Sequence, residues 1–198
     1  MGLRETNATR TRARIADAAM ALFLQRGYDL TTMEDVAAAA EVGLSTLYRY
    51  FPTKELLGTS YLGEPGQLAA ALRERPDDEP VELSLGTVLV EFVAYDTDEL
   101  AHSGQIRDLI QENPRMHGRL LDWLMQTHLA LTAAIAERRG TTPDDIVAAA
   151  LSWNAVLVLE RASDRMRTRR GEAVTDAVRE VVAELTAADV LGPRLPPR

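Results

Sequence analysis

Thr31–Lys54, TTMEDVAAAAEVGLSTLYRYFPTK, carries two short helical patterns around a tight turn, and the rest of the chain is read outward from it. Thr32 has the side-chain oxygen of an N-cap, and Asp35, three residues on, has the carboxylate that completes a capping box, so a helix starts at about Met33. Val36, Ala37 and Ala40 form its apolar face, small enough for a second helix to approach closely, until Glu41, Val42 and Gly43 break the pattern. Gly43 is expected to supply the bend. The next helix, Leu44 to Phe51, puts Leu47 and Phe51 on one face and spreads Ser45, Thr46, Tyr48, Arg49 and Tyr50 over the other. Pro52 stops it, Thr53 is placed to cap the following helix, and Lys54 falls in that helix's first turn. A cation there opposes the helix dipole and calls for an anionic partner such as a phosphate.

The outer face of the second helix holds hydroxyls, an arginine and two tyrosines, with no carboxylate. Such groups suit phosphate oxygens and base edges, and the pair has the form of a helix-turn-helix. The same pattern also fits an ordinary helical hairpin with half-buried tyrosines.

The run Thr46-Leu47-Tyr48-Arg49-Tyr50-Phe51-Pro52-Thr53-Lys54-Glu55-Leu56-Leu57 resembles the DNA-binding signature of the TetR family of bacterial transcriptional regulators. The similarity extends upstream through Ile15, Ala18, Ala19, Leu22, Phe23, Gly27, Tyr28, Thr31 and Thr32, roughly the first third of the chain. The resemblance implies that Thr32, Thr46, Tyr48, Tyr50 and Lys54 meet the DNA backbone, with Thr31 counted beside them, and that Leu44, Ser45 and Arg49 lie where bases are read. In two places the chain departs from the family: Glu41 stands where glycine is common and Gly43 where a serine-like cap is common. A third departure, Leu44 in a usually polar position, either meets a thymine methyl or makes no base contact.

The chain has 198 residues, enough for one or two small domains with ample core. It has no cysteine, so disulfides and thiolate metal sites are excluded, and His102, His117 and His128 lack the pairing of a zinc motif. Neither a cofactor nor a metal is expected. No apolar run approaching the ~20 residues of a membrane span is read, nor a signal peptide, and the expected setting is cytoplasmic, with no membrane partner. The net charge is −8, but residues 1–60 carry seven Lys/Arg against seven Asp/Glu, so all of the excess acidity lies beyond them. Within that first segment Arg4, Arg10, Arg12 and Arg14 form a basic arm, of which Arg12 and Arg14 are the expected phosphate contacts and Arg4 a frayed terminus.

Ile15, Ala18, Ala19, Leu22 and Phe23 make the core face of a first helix from about Ala8 to Arg26, closed by Gly27. This gives a three-helix domain over residues 1–52. A connecting helix and linker follow over 53–66, and from Gln67 on every pattern is helical. Expected helices run from Leu68 to Arg75, from Val81 to Leu100, from Ser103 to before Pro114, then to Arg139 with Gly140 closing. The next is capped by Thr142, with Pro143 at its first position, and continues to about Arg170; the last spans Glu172 to about Ala188.

Two polar residues interrupt apolar stripes: His128 among Leu121, Leu124, Leu131 and Ile135, and Asn154 among Val147, Leu151 and Val158. With Phe92, Tyr95 and Trp123 they are the candidate lining of a small-molecule cavity, although each also fits a plain aromatic core. The helix around Ile146 to Leu159 is apolar on more of its circumference than one core face needs, so Trp153, Leu157, Val174, Val178, Val181 and Leu185 are the candidate faces of a two-fold, four-helix dimer interface. The tail, 191–198, holds three prolines and is expected to be disordered.

The reading is an all-α protein: an N-terminal helix-turn-helix domain, then a C-terminal helical domain over 67–190 for effector binding and dimerisation. Its expected partners are a double-stranded DNA operator, a second copy and a small-molecule effector. The alternative is a dimeric helical scaffold or ligand carrier that does not bind DNA; an enzyme fits least, with no metal spacing, phosphate loop or nucleophile partner.

Overall fold

The computed structural model describes residues 3–94, 103–169, 173–192 and 194, and among these no strand occurs. The helices are α1 (Leu3–Arg26), α2 (Met33–Ala39), α3 (Leu44–Tyr50), α4 (Lys54–Gly58), α5 (Gln67–Arg73), α6 (Val81–Ala94), α7 (Ser103–Glu112), α8 (Pro114–Arg139), α9 (Ile146–Thr168) and α10 (Val174–Ala187), with a 3-10 turn at Ser60–Leu62. Two compact units result: Met1–Gly63 with Asp108–Leu121, and Glu64–Arg107 with Asp122–Arg198. The stretch expected to link domains therefore falls largely within the first unit.

In the first unit the face read from the sequence is the core. Ile15, Ala19 and Phe23 of α1 and Leu47 and Phe51 of the α3 segment are all buried, each large side chain contributing about 1.5–3 kcal/mol by leaving water. The start of α8 belongs to this unit. Asn113 accepts hydrogen bonds from the Arg115 and Met116 backbone N–H groups, each at 3.1 Å, which lets Pro114 occupy the first helical position without a wasted donor. Gly58 lies where an added Cβ would stand 2.3 Å from Met116 Cε, so α4 meets this segment through bare backbone.

In the second unit α6 packs against α5, α9 and α10 around Leu85, Leu89, Leu131, Leu151, Val158 and Val178. Arg138, in the last turn of α8, bridges elements: its guanidinium donates to the carbonyls of Arg75 (2.9 Å), Pro76 (2.7 Å) and Glu79 (3.0 Å) just beyond α5. Arg165 clasps α9 to α10 through Glu184 at 2.6 Å and Glu180 at 3.5 Å.

Several local expectations are corrected. The bend after α2 is not at Gly43, which has ordinary extended geometry (φ −68°), but at Glu41, with φ 52°. The Glu41 N–H reaches the Ala38 carbonyl at 3.1 Å and the Val42 N–H the Ala37 carbonyl at 3.0 Å, a complete Schellman ending with Glu41 in the position glycine favours. Gly140 closes α8 in the same way, as expected. The helix thought to open at Thr142 starts at Ile146, because Asp145 is the cap and accepts from the Val147 N–H at 2.8 Å. The expected end of α6 toward Leu100 lies outside the described residues, which stop at Ala94. The segment Ile146–Met166, contrary to expectation, is long and apolar enough to match a membrane span by length and composition, and 39% of its most apolar stretch is buried within the protein. Of the tail, Leu191 accepts a hydrogen bond from the Asn154 amide, and the Arg194 N–H donates to the Glu82 carbonyl at 2.7 Å; residues 193 and 195–198 lie outside the described set.

Candidate functional site

α2 begins with the capping box that Thr32 and Asp35 announce. Thr32 Oγ1 accepts from the Asp35 N–H at 3.1 Å, and the Asp35 carboxylate accepts from the Thr32 N–H at 2.8 Å. The Thr32 hydroxyl, which donates to that carboxylate at 2.6 Å, then the Thr32 N–H and the nearby guanidinium of Arg26, hold the Asp35 carboxyl below the ordinary range. The box fixes where α2 starts, and the Schellman ending at Glu41 fixes where it stops, so the entry angle of α3 is set at both ends.

α3 buries Leu47 and turns its other faces outward. Leu44 is 38% exposed and Tyr48 44% exposed, with Ser45 and Arg49 exposed beside them and Thr46 and Tyr50 half-buried. The Arg49 guanidinium stands 5.3 Å from the Tyr50 ring centre, a cation–π contact made while the residue stays exposed. From α1, Arg12 lies 4.8 Å above the Phe51 ring, and Arg14 is exposed. Lys54 sits 4.1 Å over the ring of Tyr28, so the cation expected to need an anion already has an aromatic face; desolvation lowers its pKa. Tyr28 is buried with an unpartnered hydroxyl, and burial first, then the Glu55 charge, pushes its pKa up to about 12.

Thr31 is removed from the list of DNA contacts. It is 1% exposed, and its hydroxyl donates to the Gly27 carbonyl at 2.9 Å while Arg26 Nε donates to it at 3.4 Å. Its job is to tie the end of α1 to the start of α2.

The candidate effector residues fare differently from one another. Phe92 and Trp123 stack with ring centres 6.4 Å apart. Tyr95 lies outside the described residues. Asn154 is half-buried and spends its amide on the Leu191 carbonyl. His128 is buried, its Nδ1 3.0 Å from Ser152 Oγ and its ring stacked on Trp153 at 4.0 Å, so its visible contacts are with its own chain. One residue the sequence reading passed over is Thr127. Several other helical hydroxyls return to the carbonyl four residues back, as Thr87, Thr132, Ser163 and Thr186 do at 2.8–3.0 Å. Thr127 is fully buried and its hydroxyl has no partner, one turn from Trp123 on the same face. Only the helical register with Trp123 pointed to it; the missing hydrogen bond is invisible in sequence.

Of the candidate dimer residues, Val174, Val178 and Val181 are corrected to core. Val178 and Val181 belong to the core cluster with residues of α6 and α9, and Val174 is 7% exposed, so their own chain already covers all three. Trp153 remains 46% exposed, and Leu157 and Leu185 are half-buried.

Comparison with known proteins matches residues 15–57 to bacterial regulatory proteins of the tetR family and residues 79–190 to the MftR C-terminal domain. The transcriptional regulator TcmR of Streptomyces glaucescens is 30% identical over 152 residues, covering 73% of this chain and 67% of that protein. The repressor KstR of Mycobacterium tuberculosis is 50% identical over 52 residues, 26% of this chain and 24% of its own. Among solved structures, native NalD of Pseudomonas aeruginosa, the secondary repressor of the MexAB-OprM multidrug efflux pump, aligns with a TM-score of 0.56 at 22% identity, covering 91% of this chain and 96% of that one.

Proposed function

The chain belongs to the tetR family of bacterial regulatory proteins, and from that premise we propose that it is a ligand-responsive repressor, held as a dimer on a palindromic operator and released by a small-molecule effector. The observation that carries the reading is α3, which buries Leu47 and presents Leu44, Ser45, Tyr48 and Arg49 on its open faces. Arg49 and Ser45 read base edges, with Leu44 against a thymine methyl. Thr32, Thr46, Tyr48, Tyr50 and Lys54 position the helix on phosphates, and Arg12 and Arg14 extend the contact along the backbone. Work on bacterial DNA sets the protein in the cytoplasm.

The effector sits in the second unit beside the Phe92–Trp123 pair, and the unpartnered Thr127 hydroxyl gives it a hydrogen bond. In the first unit Met116, near the start of α8, lies against Gly58 of α4, and Arg115 stands 3.6 Å from Glu55. Effector binding favours an α8 position that shifts α4 and changes the spacing of the two readers: a population shift, reciprocal between effector and operator.

The test is selection of bound sequences from a random duplex pool, then titration of the winner at several salt concentrations. A palindrome with half-sites one DNA turn apart (~34 Å) or a multiple of it, and steep salt dependence, is expected. A folded, dimeric protein that enriches nothing, with or without candidate effectors, would overturn the reading.

A further inference from the structure

Asp189, with φ 54°, closes α10 in a Schellman ending: its N–H reaches the Thr186 carbonyl at 3.1 Å, and the Val190 N–H reaches the Leu185 carbonyl at 3.0 Å. This reversal sends the chain back across its own unit. The Leu191 carbonyl accepts from the Asn154 amide of α9, and Gly192 is buried beside Asn154 and Leu185. The Arg194 N–H then reaches the Glu82 carbonyl of α6 at 2.7 Å.

Gly86 makes that last contact possible. It lies inside α6, one turn beyond Glu82 on the same face, where glycine weakens a helix relative to alanine. A Cβ at Gly86 would run into the Arg194 carbonyl oxygen, with the carbon of that group at 2.7 Å and the Arg194 nitrogen at 3.1 Å. All three of these nearest atoms are backbone, so the site is a notch that admits a passing chain. The contact differs from the core beneath it, because Leu191 and Arg194 themselves stay exposed. A contact that buries no large apolar side chain rests on a few hydrogen bonds, each worth little net, and opens far more readily than a core does.

We propose that Leu191, Gly192 and Arg194 form a releasable strap, which ties α6 to α9 and α10 when docked in the Gly86 notch and frees α6 when it leaves. Asn154, polar within an apolar stripe, is the post that holds the strap on α9. α6 also carries Phe92, but the strap belongs to the second unit alone and stands whether or not an effector binds there.

Hydrogen exchange of α6 in the full chain, followed by mass spectrometry, tests this with three variants. Gly86→Ala closes the notch; alanine by itself favours the helix and would slow exchange, so faster exchange reports the lost strap. Arg194→Pro removes the N–H that reaches Glu82, whereas Arg194→Ala keeps it. Exchange over Val81–Ala94 is expected to quicken about three- to ten-fold in Gly86→Ala and Arg194→Pro, the equivalent of one backbone hydrogen bond, and to keep the wild-type rate in Arg194→Ala. Unchanged or slower exchange in Arg194→Pro would overturn the strap. So would faster exchange in Gly86→Ala alone, which would be overpacking of α6. Should Gly86→Ala misfold, the two Arg194 variants decide.

Discussion

Glu41 holds a backbone angle that glycine holds more easily. With φ at 52° it sits in the left-handed region, which costs a residue with a Cβ about 1–2 kcal/mol. Glycine removes that strain but adds freedom to the unfolded chain, so Glu41→Gly is expected to raise stability by about 0.5–1 kcal/mol net. A higher urea midpoint at unchanged slope would check this; a lower one would mean that the glutamate side chain supports the turn. Thr127 is the other residue with a local conflict, a buried hydroxyl without a partner. Thr127→Val keeps the shape and removes the conflict, so stability should rise by about 1 kcal/mol while effector-induced release of operator weakens. Thermal unfolding and operator release measured on the same variant separate the two effects. A rise in stability with unaltered release would make Thr127 part of the packing alone.

At the scale of elements, helix ends carry the sharpest expectations. The Asp145 carboxylate accepts from the Val147 N–H, the Thr141 hydroxyl and Arg139 Nε, and these bonds, the backbone one first, lower its pKa to about 2. An unfolded aspartate titrates near 3.9, so the stabilisation is complete above about pH 4 and is lost as pH falls toward 2. Glu79, tied to Arg75 and Ser84, follows the same sign with a pKa of about 2. Asp145→Asn should therefore be less stable than wild type at neutral pH, with the difference closing as the pH approaches about 2 in thermal scans. On α3 and the start of α4, base reading and phosphate contact should separate. Arg49→Ala is expected to change the preferred site, at about 1–3 kcal/mol for the base concerned, whereas Lys54→Ala should weaken all sites and reduce the salt slope by about 1. Tyr48→Phe should act like the lysine change, across sequences and without altering preference. An unaltered preferred site in Arg49→Ala would remove that residue from the base-reading set.

Across the whole molecule, the net charge of −8 would argue against DNA were it spread evenly; instead the first 60 residues are balanced and hold the reader. Operator affinity should accordingly fall steeply with salt, and reversing acidic residues remote from α3 should alter association rate more than preferred sequence, as competition binding would register. The sequence by itself determined the all-helical architecture, the helix pair of the reader and the cap that opens it, since the Thr32–Asp35 box, the Leu47/Phe51 face and, farther on, the Gly140 ending are local signals, fulfilled within a few residues. The family likeness lay in the same short run. Tertiary structure alone decided what faces what. Periodicity said that Val174, Val178 and Val181 share a face, but only packing within their own chain consumed that face and left Trp153 outside. The same holds for Thr31, polar in sequence yet buried by hydrogen bonds to backbone, and for Asp145, which won the cap from Thr142 because Arg139 and Thr141 converge on it. A stripe records which side chains avoid water together; whether its own chain or another molecule covers them depends on neighbours distant in sequence, which no local pattern encodes.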